Sequence, residues 1–350
     1  MRSSYAKEDV VLLLKDITGM VQPQPTEERE KLIQAGKHYS EMLPIEYVPT
    51  EKYMQVYQEA LVNYAKPVAD AIGNLSDKIM KKRGKDVVLV SLARAGIPIG
   101  ILVKRYLKYK YQLEVPHYAI SIIRGRGIDQ NAMEYLLQNY QAEQLLFVDG
   151  WIGKGAILNE LKNAIAAYPG VSADIAVVAD PANVTQLCGT HEDILIPSSC
   201  LNSTISGLVS RTFLRDDIIG KEDFHGAVYY GELKDNDLSY AFISVIESHF
   251  TKENMQTEEK ILEGQGIDEV LKIGKHFSVT DVNLIKPGIG EATRVLLRRV
   301  PWKILIDEKY KESAQLHHLV RLAKEKNVPI EYYPMKHYKC CGIIKKIADA

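Results

Sequence analysis

Cysteine is scarce in this sequence, and no long apolar run occurs in it. The four cysteines are Cys188, Cys200, Cys340 and Cys341. None stands in a Cys-x-x-Cys pair, so neither a disulfide framework nor a zinc ribbon is indicated. No apolar stretch approaches the roughly 18 residues that span a bilayer. The first residues carry Lys7, Glu8, Asp9 and Lys15 around a short apolar run, unlike a secretory signal. These absences point to a cytoplasmic protein with reduced thiols and no membrane partner. Net charge is nearly absent too, with 44 Lys+Arg against 45 Asp+Glu. That excludes a wholly basic, histone-like nucleic-acid binder. Internal repeats and low-complexity segments are also missing. What remains is globular composition, 46% hydrophobic and 25% charged over 350 residues, enough for two domains.

The near-zero charge is the sum of two unlike parts. Residues 267–350 carry 16 Lys+Arg against 10 Asp+Glu, which leaves 28 against 35 for residues 1–266. A basic tail on an acidic body is a recognised hint of nucleic-acid contact, and a chance surface imbalance produces the same split. The polar stretch 251–266 ends in Gly264-Gln265-Gly266. A domain boundary is placed there, giving domains 1–255 and 256–350.

Residues 1–50, with Pro23, Pro25, Pro44 and Pro49, read as an irregular arm with short helices. Tyr53, Val56, Tyr57, Ala60, Leu61 and Tyr64 share one helical face within 51–83. Short apolar runs at 87–90, 118–123, 145–148 and 173–179 read as strands, with a fifth expected at 193–196. Helical stretches lie between them at 97–109, 131–140 and 155–167. This alternation predicts βαβ units and a mostly parallel sheet covered on both faces. A smaller α/β unit is expected beyond the boundary, with strands at 303–306 and 330–332 and helices from 291 and over 313–326.

Three loops leave strands on one sheet edge. The richest is Asp149-Gly150-Trp151-Ile152-Gly153-Lys154-Gly155. Its glycines let successive backbone N–H groups face one anion, and a helix N-terminus follows. Asp149 is placed to accept from sugar hydroxyls, and Lys154 adds charge. Local chemistry alone allows either a phosphate cradle or a tight strand-to-helix turn. Ala93-Arg94-Ala95-Gly96 opens another helix, where Arg94 can pair with phosphate oxygens. Arg124-Gly125-Arg126-Gly127 is either a basic clamp or a solvated turn.

These loops resemble those of type I phosphoribosyltransferases. Segments 38–44, 91–96, 121–129, 148–157, 179–182 and 196–212 are similar, more closely, to one bacterial family. It is the phosphoribosyltransferase-like family of tellurite-resistance and stress-response operons, also called cysteine protease StiP. The resemblance covers essentially all of residues 1–250. It implies a phosphoribosyltransferase-like α/β domain that binds phosphoribosyl pyrophosphate with Mg²⁺ and transfers phosphoribose to a base. Asp149, Arg124 and Arg126 would be catalytic. Ala93, Arg94, Ala95, Gly96, Gly150, Trp151, Gly153, Lys154 and Gly155 would hold the substrate. Gly150 departs from the family's second acid, and the usual loop Thr hydroxyls are absent.

Family members carry a C-terminal Pelota-type RNA-binding domain, and residues 267–350 resemble one. Gly288, Gly290 and Glu291 fall in its Gly-x-Asn-Glu helix start, with Gly290 replacing Asn. Lys286, Arg294 and Arg298 are the neighbouring cations expected to meet RNA. A homodimer is among the expected assemblies.

The polar run 196–212 follows a strand. Asp180, Ser199, Cys200 and Asn202 in or near it would recognise the acceptor base, or serve only in capping and turns. Two other functions are kept open. One is a non-catalytic nucleotide or RNA-binding regulator, motivated by Gly150. The other is a cysteine protease using Cys200 with His225 or His191 as base. No protein metal ligand set is expected, since His317 and His318 point in different directions on a helix.

Overall fold

The computed structural model describes residues 1–253 and 263–346. The expected boundary at 255/256 lies outside the described residues. The fold is α/β, built on a six-stranded sheet and a smaller α/β unit.

Strands β1 (Val11–Leu12), β2 (Val88–Leu92), β3 (His117–Ile120), β4 (Leu145–Trp151), β5 (Ile175–Ala179) and β6 (Cys188–Thr190) form the large sheet, in the order β1-β3-β2-β4-β5-β6. Every pairing in it is parallel. All five residues of β2 and of β5 are buried, as expected of strands covered on both faces.

Helices α1 (Thr26–Gln34) and α2 (Glu51–Arg83) precede β2. Three more follow in the first unit: α3 (Gly96–Tyr111), α4 (Gln130–Asn139) and α5 (Ala156–Ile165). The stripe seen in the sequence continues along α2, burying Val56, Tyr57, Ala60, Tyr64, Val68, Ile72, Leu75 and Ile79. Burying each large aliphatic side chain contributes about 1.5–3 kcal/mol. Helix α6 (Ser239–Glu247), not expected from the sequence, packs beside α2 and α3.

The fifth strand differs from its expectation. Residues 193–196 are not a strand, and Cys188–Thr190 takes the edge position instead. Gly189 permits this, because a Cβ there would sit 2.2 Å from Ala71 O of α2. The chain then turns away, and Asp193 points toward the second unit.

That unit begins with α7 (Gly266–His276). Its sheet has strands β7 (Ile285–Pro287), β8 (Pro301–Ile306), β9 (Ile330–Tyr332) and β10 (Cys340–Ile344), in the order β7-β10-β8-β9. Helices α8 (Ile289–Arg298) and α9 (His317–Glu325) pack together on it. Strand β10 was not expected, yet all five of its residues are buried. Among the described residues no helix is long and apolar enough to cross a membrane.

Candidate functional site

Strand order reverses beside β2, so the loops after β2 and β4 meet at one crevice. Gly96 makes the approach possible, since a Cβ there would lie 2.3 Å from Val148 O. The structure therefore brings Ala93, Arg94, Ala95 and Gly96 beside Asp149 and Gly150. Burial pushes the Asp149 carboxyl up to about 7, against the Gly150 N–H that donates to it at 2.7 Å and against Arg294. Gly155 caps α5 with φ +88°, a conformation that favours glycine.

The second unit covers this loop. Lys154 Nζ donates to Val282 O and, at 3.1 Å, to Ile285 O. Tyr338 OH donates to Gly153 O at 2.7 Å. Glu291 Cγ lies 3.8 Å from where a Gly153 Cβ would stand. Desolvation, helped by Lys286, pushes the Lys154 ammonium down to about 8. Trp151 lies beneath Arg294, 5.9 Å from the guanidinium carbon.

The two loop arginines face elsewhere. Arg126 pairs with Glu41, and Arg124 donates to Asn283 Oδ1 at 3.3 Å. Arg94 donates to Val209 O at 3.1 Å and to Asn202 Oδ1 at 3.2 Å.

The residues expected to meet RNA lie on the face that meets the first unit. Asp193 caps α8 from across the junction. Its Oδ1 accepts from Ile289 N at 3.0 Å and its Oδ2 from Lys339 N at 2.9 Å. Gly288, with φ +89°, packs against that carboxylate, and Gly290 against Ser199. Glu291 pairs with Arg294 at 3.2 Å. Arg298 donates to Cys200 O at 3.0 Å, and burial pushes the Lys286 ammonium down.

Cys200 is fully buried, and that burial pushes its thiol up to about 12. His225 bonds Ser121 Oγ at 2.9 Å rather than a thiol. A different cysteine stands beside a histidine. Cys188 Sγ lies 3.4 Å from His191 Nε2. His191 Nδ1–H donates to Asp180 O at 2.9 Å. That bond places the proton on Nδ1 and leaves Nε2 unprotonated, with the sulfur beside the ring at 3.4 Å from Nε2 and 3.8 Å from Nδ1. Asp180 Oδ2 lies 3.7 Å from the ring and accepts from Val184 N at 2.7 Å and Thr185 N at 2.8 Å. Burial pushes the Asp180 carboxyl up, opposed by those amides and by His191.

The three donor atoms lie within 4.8 Å of one another, a set that could also hold a metal ion. Sequence reading passed over this group. The signal was Cys188-x-x-His191 leaving a strand end, with Asp180 at the end of the neighbouring strand.

Residues 3–247 match a family model described as tellurite-like stress resistance cysteine protease StiP. Residues 264–346 match the PELOTA RNA binding domain. A curated protein from Acinetobacter baylyi (strain ATCC 33305 / BD413 / ADP1), named cysteine protease StiP, is 33% identical over 98% of this chain and 94% of its own. Solved structures share a weaker likeness. A hypoxanthine-guanine phosphoribosyltransferase from Bacillus anthracis is 15% identical, over 33% of this chain and 68% of its own, with TM-score 0.26. A Helicobacter pylori xanthine-guanine-hypoxanthine phosphoribosyltransferase is 19% identical, over 33% and 70%, with TM-score 0.24. Likenesses at these TM-scores assign no activity.

Phosphoribose transfer is therefore corrected. The matched family and the curated relative are both described as cysteine protease. Mg²⁺ was expected only as the counter-ion of that diphosphate substrate.

Proposed function

This chain belongs to the StiP family, and from that premise we propose that it is a thiol-dependent peptidase whose nucleophile is Cys188. The contact of Cys188 Sγ with the His191 ring, 3.4 Å from Nε2 and 3.8 Å from Nδ1, carries the reading, and the imidazole turns its Nε2 edge to the sulfur for proton transfer. His191 Nε2 takes the thiol proton as sulfur attacks a peptide carbonyl. The same proton then passes to the leaving amine as the C–N bond breaks. Water, deprotonated by Nε2, releases the acyl group and restores the thiol. Asp180 holds the ring through its backbone carbonyl, with its carboxylate alongside.

Cys188 is buried, so a substrate reaches it when the neighbouring turn at 180–182 moves. The second unit grips that turn. Gly266 N donates to Ala182 O at 2.9 Å, and His337 Nδ1 to Pro181 O at 3.2 Å.

The test compares peptidase activity on a denatured protein substrate with iodoacetamide labelling. Cys188→Ser and His191→Ala are expected to lose activity by at least about 10²-fold, while Cys200→Ala keeps it. Full activity in Cys188→Ser, or loss only in Cys200→Ala, would sink the assignment.

We propose RNA as the partner of the second unit, resting on the match of residues 264–346. Because the α8 start faces inward, exposed Trp302, flanked by half-buried Phe277 and Tyr333, is the better contact. Lys303 lies 4.5 Å from both the Trp302 and Phe277 rings. An exposed aromatic such as Trp302 stacks unpaired bases, and Lys303 beside it, paired with Glu331 at 2.7 Å, is its neighbouring cation. Trp302→Ala is expected to weaken single-stranded RNA binding by about 1–3 kcal/mol, read by fluorescence anisotropy. Unchanged affinity would move the contact elsewhere.

A further inference from the structure

Four arginines converge where the two units meet. Arg94 bonds Val209 O and Asn202, as above, and Arg211 stands two residues beyond that carbonyl. Arg211 lies over the Tyr39 ring, 4.8 Å from its centroid. Arg294 and Arg298 are one turn apart on α8 and so share a face. Arg298 Nε is buried without a hydrogen-bond partner, and so is Tyr230 OH. Tyr230 feels both Arg94 and Arg211. The cluster strains its own charge. Burial, and then the neighbouring arginines, push the Arg211 guanidinium down to about 10 and that of Arg298 to about 9.

The acids within reach do not balance this charge. Glu46 Oε1 is spent on Ser203 N and Oγ, each at 2.9 Å. Glu291 is paired with Arg294, and Asp149 is only partly ionised near neutral pH. Among the described residues, no carboxylate pairs with Arg94, Arg211 or Arg298.

Guanidinium groups gathered away from water are costly unless an anion meets them. Their planar forks match phosphate oxygens two at a time. We infer that this junction is a binding site for a small phosphate-bearing anion, held by Arg211, Arg294 and Arg298 with Arg94 behind them. A free phosphate ester or polyphosphate suits a small group of half-buried guanidinium groups between α8 and the first unit's loops, of which Arg294 is 39% exposed. Arg211 and α8 belong to different units, so the bound anion ties the units together. This binding makes and breaks no covalent bond and does not depend on the peptidase reading.

Calorimetry of the full chain, in metal-free buffer, tests it with inorganic phosphate, diphosphate and tripolyphosphate as probes. Diphosphate or tripolyphosphate is expected to bind more tightly than phosphate. Arg211→Ala and Arg298→Gln should each weaken binding by at least about ten-fold, the loss of one charge-assisted pair. Lys324→Ala, an exposed cation on α9, should leave it unchanged. Arg211→Lys and Arg298→Lys keep the charge and guard against misfolding, and they should retain part of the affinity. The parent's melting temperature should rise with diphosphate, and that of Arg211→Ala should not. Absence of heat from every probe would overturn the site, as would undiminished affinity in both alanine and glutamine variants. Preference for a single-stranded RNA over all three probes would overturn the free-anion form.

Discussion

At the scale of single residues, environment separates side chains that look alike in the sequence. Cys200 and Cys188 are both buried, yet only Cys188 has a histidine nitrogen at its sulfur. Asp149 was expected to accept from sugar hydroxyls, and burial holds its carboxyl up to about 7. The sign of its effect on stability follows. Between the unfolded value of 3.8 and the folded value of about 7, the native state holds a proton that the unfolded chain has lost. Stability from this group therefore falls as pH rises through that window, by on the order of 4 kcal/mol. Asp149→Asn, which can keep the Gly150 hydrogen bond, should be more stable than the parent at pH 8 and nearly equal at pH 4. Urea melts at the two pH values check this, and an equal gain at both would refute it.

At the scale of elements, α2 and β6 form the backing of the candidate thiol site. Their approach rests on Gly189, because a methyl there would meet Ala71 backbone atoms that cannot rotate away. Gly189→Ala should cost about 1–3 kcal/mol or more and displace Cys188, its immediate neighbour. A lower melting temperature together with faster thiol alkylation is the expected pair of results. Unchanged alkylation would uncouple the packing from the site. The loops after β2 and β4 were legible in the sequence because glycines, small residues and short strands are local signals. The edge strand was not. Residues 193–196 are as apolar as Cys188–Thr190, and only contact with α2 selects between them.

At the scale of the whole molecule, the second unit is a cover on the first. Asp193 is the pivot, since it satisfies the buried N–H groups of both Ile289 and Lys339. Asp193→Ala leaves both without acceptors and should cost about 2–4 kcal/mol at the junction. Thermal unfolding is expected to broaden or split as the units uncouple, and the turn at 180–182 to lose protection in hydrogen exchange. A single sharp transition at the parent's temperature would argue against that role. Charge asymmetry pointed to a basic second unit, but not to which face of it was free. The residues closest to an RNA-binding pattern turned out to be the docking face.

The α/β class, the strand-and-helix alternation, the family and the RNA-domain match were fixed by local information. Periodicity, turn residues and contiguous segments lie along the chain, where sequence can be read directly. Which cysteine lies beside a histidine, and which arginines gather at the junction, was decided only by tertiary structure. Asp180 and His191 come from different turns of the chain, and Arg211 and Arg298 from different units. Such groups interact through space over a few ångströms, and no spacing along the chain encodes that distance.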